Sequence, residues 1–164
     1  MNPRRVGLIA VVALAVFALD RVSKSIVASS LPLGGSVELA GPYVRITNVR
    51  NSGAAFGLLP ERTTLLSILS VVAVVAILYY YRQLAARSPL IAATLGMQLG
   101  GAFGNLVDRL GQGYVVDFVD VGFDPGPRFW AFNVADSSIV VGILLVIVTL
   151  WWEERSQAHP TTSS

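Results

Sequence analysis

Four long apolar runs alternate with polar stretches along the chain. They cover about 6–28, 63–81, 90–107 and 132–152. A helix rises about 1.5 Å per residue, so roughly 20 residues cross a hydrocarbon core of about 30 Å. The pattern therefore predicts four membrane-spanning helices. The second run ends in Tyr79, Tyr80 and Tyr81 and the fourth in Trp151 and Trp152, as interfacial aromatic belts do. Arg4 and Arg5 give the first run the opening of a signal peptide. Its length and the lack of an Ala-x-Ala site identify it instead as a retained span.

The two longer connections, 29–62 and 108–131, carry a different period. Ser36-Val37-Glu38-Leu39 and Tyr43-Val44-Arg45-Ile46-Thr47 alternate apolar and polar residues around Gly41-Pro42, which predicts a hairpin or small sheet. Tyr114 to Val121 has the residues of a further strand. The expected fold is an all-α membrane protein of four transmembrane helices with a small extracytoplasmic β-sheet and loop. Residues 1–155 form one membrane domain in this reading, and 156–164 a polar, disordered cytoplasmic tail.

Composition narrows the chemistry. Of 164 residues, 54% are hydrophobic and 13% charged, against about 25% charged in soluble domains. Mean hydropathy is +0.64. There is no cysteine, and the single histidine, His159, lies in the tail. Thiol nucleophiles, Ser-His-Asp catalysis and multi-histidine metal sites lack their parts, and no cofactor is expected. A net charge of +2 is too small to imply nucleic acid. The basic residues read instead as topology signals. Arg4, Arg5, Arg82, Arg87 and Arg155 fall on one side of an even number of spans, which should be the cytoplasm of a bacterial cell membrane, with both termini inside. Arg45, Arg50, Arg62, Arg109 and Arg128 in the outer connections weaken that bias.

The third run contains Gly96, Gly100, Gly101 and Gly104. Four-residue spacing lets another helix approach closely. For Gly96 and Gly100 packing alone is the expectation. Gly101 and Gly104 adjoin polar residues, where close packing would serve a site. Ionisable groups at membrane depth are costly and mark function. Asp20 and Lys24, at i,i+4, can pair and snorkel to the interface. Gly101, Asn105, Asp108 and Arg109 share a helix face. Asp117 lies in an otherwise apolar run. Asn133 can cap the fourth helix, placing Asp136 in its first turn before a charge-free stretch from Ile139 to Trp152.

Asp117 and Asp136 thus belong at the outer edge of the bundle. Two carboxyls brought together share a proton, so one can activate water while the other polarises a carbonyl. That is aspartic peptidase chemistry, needing neither cysteine, histidine nor metal. Three other readings compete. A small ion or solute transporter lined by Asp20, Asp117 and Asp136 would spread its acids through the membrane depth. A Ser23–Lys24 peptidase would need adjacent helical residues to face each other. A non-enzymatic assembly factor would tolerate Asp117→Asn and Asp136→Asn.

The chain resembles the lipoprotein signal peptidase (signal peptidase II) family. The motifs are Asp20-x-x-Ser23-Lys24, Asn51-Ser52-Gly53-Ala54-Ala55-Phe56, Gly104-Asn105-Leu106-Val107-Asp108-Arg109, Val116-Asp117-Phe118 and Phe132-Asn133-Val134-Ala135-Asp136-Ser137. The resemblance implies removal of the signal peptide from diacylglyceryl-modified prolipoproteins just before the lipidated cysteine. It implies Asp117 and Asp136 as the catalytic pair. Asn51, Asn105, Arg109 and Asn133 would hold the substrate backbone. Asp20, Lys24, Gly101, Gly104, Asp108 and Ala135 would support the site. Asp108 matches a family position and is the rival first acid; Asp117 is preferred because Asp108 adjoins Arg109 and is expected to pair locally. The resemblance further implies membrane-lipid and prolipoprotein partners, a monomer, and inhibition by the cyclic peptide antibiotic globomycin. Residues Asn51–Leu59 are expected to cradle the peptide, and loop 122–130 to act as a lid.

Overall fold

A computed structural model describes residues 2–53 and 63–158. Four helices are long and apolar enough to cross a membrane. α1 runs Pro3–Ser30, α2 Thr63–Arg87, α3 Pro89–Gln112 and α4 Val134–Ala158. Strands β1 (Ser36–Ala40), β2 (Val44–Asn51) and β3 (Val115–Val121) form an antiparallel sheet in the order β1-β2-β3. Gly41, at φ 55°, turns the β1–β2 hairpin beside Pro42.

α3 is the central helix and packs against α1, α2 and α4. Its mean hydropathy is 1.4, against 2.1–2.3 for the other three. A helix shielded by its neighbours needs no hydrocarbon-matching surface, whereas a lipid-facing one does. Glycine makes the shielding close. A Cβ at Gly96 would stand 2.8 Å from Ile9 O, and one at Gly100 2.5 Å from Ala13 O.

The helix ends differ from the hydropathy runs. α3 continues to Gln112, so Asp108 and Arg109 are helical and the connection begins only at Gly113. Polar residues remain in the helix there because protein, not lipid, surrounds them. Arg82 and Arg87 belong to the end of α2 rather than to a link, and Ser88 caps α3 by accepting from Ile91 N. α4 starts at Val134 and extends to Ala158, so 156–158 are helix rather than tail. His159 and the part of the expected cradle from Ala54 onward lie outside the described residues.

Loop 122–131 is pinned to the sheet. Phe129 N donates to Val121 O, Arg128 Nε donates to both carboxylate oxygens of Asp120, and Arg128 Nη1 donates to Pro42 O.

Candidate active site

Polar side chains gather where the sheet meets the ends of α1, α3 and α4. Lys24 is buried among them, only 3% exposed. Its ammonium donates to Asp20 Oδ2 at 2.7 Å and to Asn105 Oδ1 at 2.9 Å, and lies 2.7 Å from Asp108 Oδ2. The i,i+4 pair with Asp20 is present, but Lys24 does not snorkel: two buried carboxylates and an amide hold it inside. Asp20 Oδ1 accepts from Ala135 N at 3.0 Å, tying α1 to the first turn of α4. Gly104 makes room for that carboxylate, since a Cβ there would stand 2.7 Å from Asp20 Oδ2. Gly101 lets α4 approach, with Ala135 O 2.5 Å from the position of a Cβ.

Asp108 is not paired with Arg109. Its partners are Lys24 and Arg21, and it is 1% exposed. The side chain turns toward α1, and the neighbour in sequence lies on a different helix azimuth. Arg109 instead donates to Asn105 O and to Gly53 O, both at 3.5 Å. Ser23 Oγ donates to Asp20 O while Lys24 is engaged elsewhere, so those two do not form a nucleophile–base pair.

Three asparagines connect these groups to Asp117 and Asp136. Asn105 faces Lys24 with its oxygen, because an ammonium can only donate. Its NH2 is therefore directed at Asp136 Oδ1, 2.8 Å away. Asn133 caps α4 by accepting from Asp136 N at 2.9 Å. Its NH2 then donates to Asp117 Oδ1 at 2.6 Å, and its backbone N–H donates to Asp136 Oδ2 at 3.2 Å. Asn51 accepts from Gly53 N at 2.9 Å and donates to Asp117 Oδ2 at 2.7 Å. Each amide is oriented by a group that can only donate, so each NH2 meets a carboxylate. All four carboxylate oxygens accept a hydrogen bond.

The two acids differ in setting. Asp117, on β3, is 2% exposed; Asp136 is half-buried. Burial, reinforced by the negative charge of Asp136, raises the Asp117 carboxyl to about 7, against the opposing pull of the Asn51 and Asn133 hydrogen bonds and of Lys24. Both acids, with Asn51 and Arg109, line a cavity of about 380 Å³ whose other walls include Trp130, Phe132 and Val140. A larger cavity, about 620 Å³, lies at the far end among Asn2, Arg5 and Tyr81, away from any carboxylate pair. Among the described residues, no three His, Asp or Glu side chains converge as a metal site requires.

The sequence singled out every polar group in this network except Arg21, whose pairing with Asp108 spans 87 positions. It also missed Phe129 and Trp130, which with Phe132 form the aromatic wall of the cavity. The only signal was their crowding immediately before the Asn133 motif.

Known proteins share both the sequence family and the overall fold of this chain. The family model described as signal peptidase (SPase) II matches residues 12–152. The lipoprotein signal peptidase of Halothermothrix orenii is 38% identical over 88% of this chain and 96% of its own length. That of Moorella thermoacetica is 41% identical over 82% and 86%. A bacterial membrane enzyme solved by the in meso method at 2.3 Å resolution superposes with a TM-score of 0.85 at 32% identity, covering 96% of this chain and 95% of that one. The fold and the family match define a membrane peptidase. The chain belongs to the signal peptidase II family.

Proposed function

We propose that this enzyme removes the signal peptide from diacylglyceryl-modified prolipoproteins, cleaving before the lipidated cysteine with Asp117 and Asp136 as its catalytic pair. The observation that carries this reading is the single residue Asn133, which donates to both carboxylates. Burial favours the resting proton on Asp117. Asp136, the more accessible acid, takes a proton from a water held between the two. The water oxygen bonds to the scissile carbonyl carbon while Asp117 passes its proton to the carbonyl oxygen. As the tetrahedral species collapses, the C–N bond breaks. The proton on Asp136 goes to the leaving amine and the hydroxyl proton returns to Asp117.

Arg109, with Asn51, Asn105 and Asn133, positions the substrate backbone. Asp20, Lys24, Asp108, Gly101, Gly104 and Ala135 hold the frame. The sheet end faces away from the cytoplasm, supported by Arg4, Arg5, Arg82, Arg87 and Arg155 at the other end. Globomycin inhibits by filling the cavity beside the acids, and the enzyme works as a monomer.

The test is cleavage of a diacylated prolipoprotein by purified protein. Asp117→Asn and Asp136→Asn should each lower kcat/KM by about 10²–10⁴-fold, whereas Asp108→Asn should lose stability before catalysis. Full activity in either of the first two variants would overturn the assignment.

A further inference from the structure

α2 and α4 both pack along α3 but make at most a marginal contact with each other. The cleft between them holds two cavities, of about 270 and 340 Å³. Each wall presents residues at three- and four-residue spacing. The floor on α3 runs Leu95, Gln98, Ala102, Asn105, Arg109; the α2 wall runs Leu66, Leu69, Ala73, Ile77, Tyr80, Leu84; the α4 wall runs Asp136, Ile139, Ile143, Ile147. That spacing is the seam by which one helix of a bundle receives another. Three helices turn such seams toward a cleft that no described element fills. From Asp136 to Ile147 the seam is about 16 Å long, or three helical turns.

One end of the cleft closes on Asn105, Arg109 and Asp136. The rest is apolar apart from Ser70, whose hydroxyl is spent on Leu66 O within α2, and Gln98 and Tyr80. An occupant that enters from the bilayer and ends at the acids must be apolar, helical and continuous with the peptide being cut. A second copy of this chain lying there would block the site, and a lipid chain presents no matching seam.

Gln98 is the polar feature of the floor, two turns from Asn105 and about 10 Å deeper. Its carboxamide makes no hydrogen bond among the described residues. Gly142 on α4 leaves room for it: a Cβ there would stand 2.9 Å from Gln98 Cγ and 3.1 Å from Thr94 O. An amide left unpaired toward hydrocarbon is costly. A bound helix with a hydroxyl, or with a small residue exposing its carbonyl, would satisfy it.

We infer that the α2–α4 cleft holds the apolar signal helix of the prolipoprotein and that Gln98 hydrogen-bonds to it. The inference rests on the proposed function. It is tested with two substrates, a full-length diacylated prolipoprotein and a diacylated lipopeptide lacking the apolar helix. Ala76 on α2 and Ile143 on α4 both line the deeper cavity; Ala76→Trp and Ile143→Trp, which fill the cleft, should raise KM for the full-length substrate tenfold or more and leave cleavage of the lipopeptide at wild-type level. A serine walked through the substrate helix should give a rate maximum at one position, lost in Gln98→Leu. A photo-crosslinker at Ile143 should capture the signal helix. Equal effects on both substrates, a flat serine profile in wild type, or crosslinks only to lipid or to a second copy would overturn the inference. Failure of wild type to cut the full-length substrate would instead bring down the proposed activity, and this inference with it.

Discussion

The Lys24 ammonium donates to Asn105 Oδ1 across 2.9 Å, joining residues 81 positions apart. This contact decides which way the Asn105 amide points, and so supplies the NH2 that Asp136 accepts. A cation in the floor of the bundle thereby sets the hydrogen bonding of an acid it does not touch.

Replacing Lys24 should therefore be costly twice. Lys24→Met leaves Asp20 and Asp108 buried with one cation fewer, a loss of about 3–5 kcal/mol. It also frees Asn105 to flip. Thermal melting in detergent should show the destabilisation. Adding Asp20→Asn should recover part of the melting temperature while cleavage stays low, because Asn105 remains unoriented. Full cleavage in Lys24→Met would show that the amide needs no such anchor.

The pH dependence follows from the burial of Asp117. Its carboxyl is raised from 3.8 to about 7. The protonated form prevails below that value and is lost as pH rises through it, so kcat/KM should fall on the basic side with a midpoint near 7, a property of the coupled pair. Stability should move the same way. Between about 4 and 7 the folded protein binds a proton that the unfolded chain has released, so stability declines as pH increases. A melting temperature that climbed across this interval would contradict the buried-proton account.

The hydropathy runs and the alternating stretches contained enough to place four spans, the hairpin and β3. Both signals arise from burial of whole faces, which leaves a period in the sequence. The end of α3 left no such mark, because Asp108 is buried in protein and Arg109 lines the site cavity, so both escape the hydropathy rule. Lys24 was legible as a partner of Asp20 but not as one of Asp108 and Asn105, since those contacts exist only after α1 and α3 meet. Asn105 and Asn133 were visible as polar residues near the membrane edge, and Asn51 through the family resemblance. Their orientations were not, because each is determined by a donor brought in by folding.

Close approach of α1 to α3 should be a condition for the site. A Cβ at Gly100 meets Ala13 O at 2.5 Å and Val16 Cβ at 3.0 Å. Gly100→Leu should cost about 1–3 kcal/mol through overpacking and reduce cleavage by pushing Asp20 and Lys24 away. Gly7→Leu, where nothing lies within 4 Å, should change stability by less than about 0.5 kcal/mol. Equal melting temperatures for both variants would mean that the helices separate freely.

Asn133 combines two jobs that one pair of substitutions can separate. Its side-chain oxygen caps α4, and its NH2 donates to Asp117. Serine keeps an oxygen for the cap but has no amide to offer the acid. Asn133→Ser should stay near wild type in melting temperature, yet lose activity and shift the basic limb of the pH profile upward, because one of the hydrogen bonds that hold the Asp117 value down is gone. Asn133→Ala should show the same pH shift and lose about 1 kcal/mol of stability with the cap. If serine restored both stability and rate, the contact with Asp117 would be incidental, and the bridge between the two acids would have to come from another group.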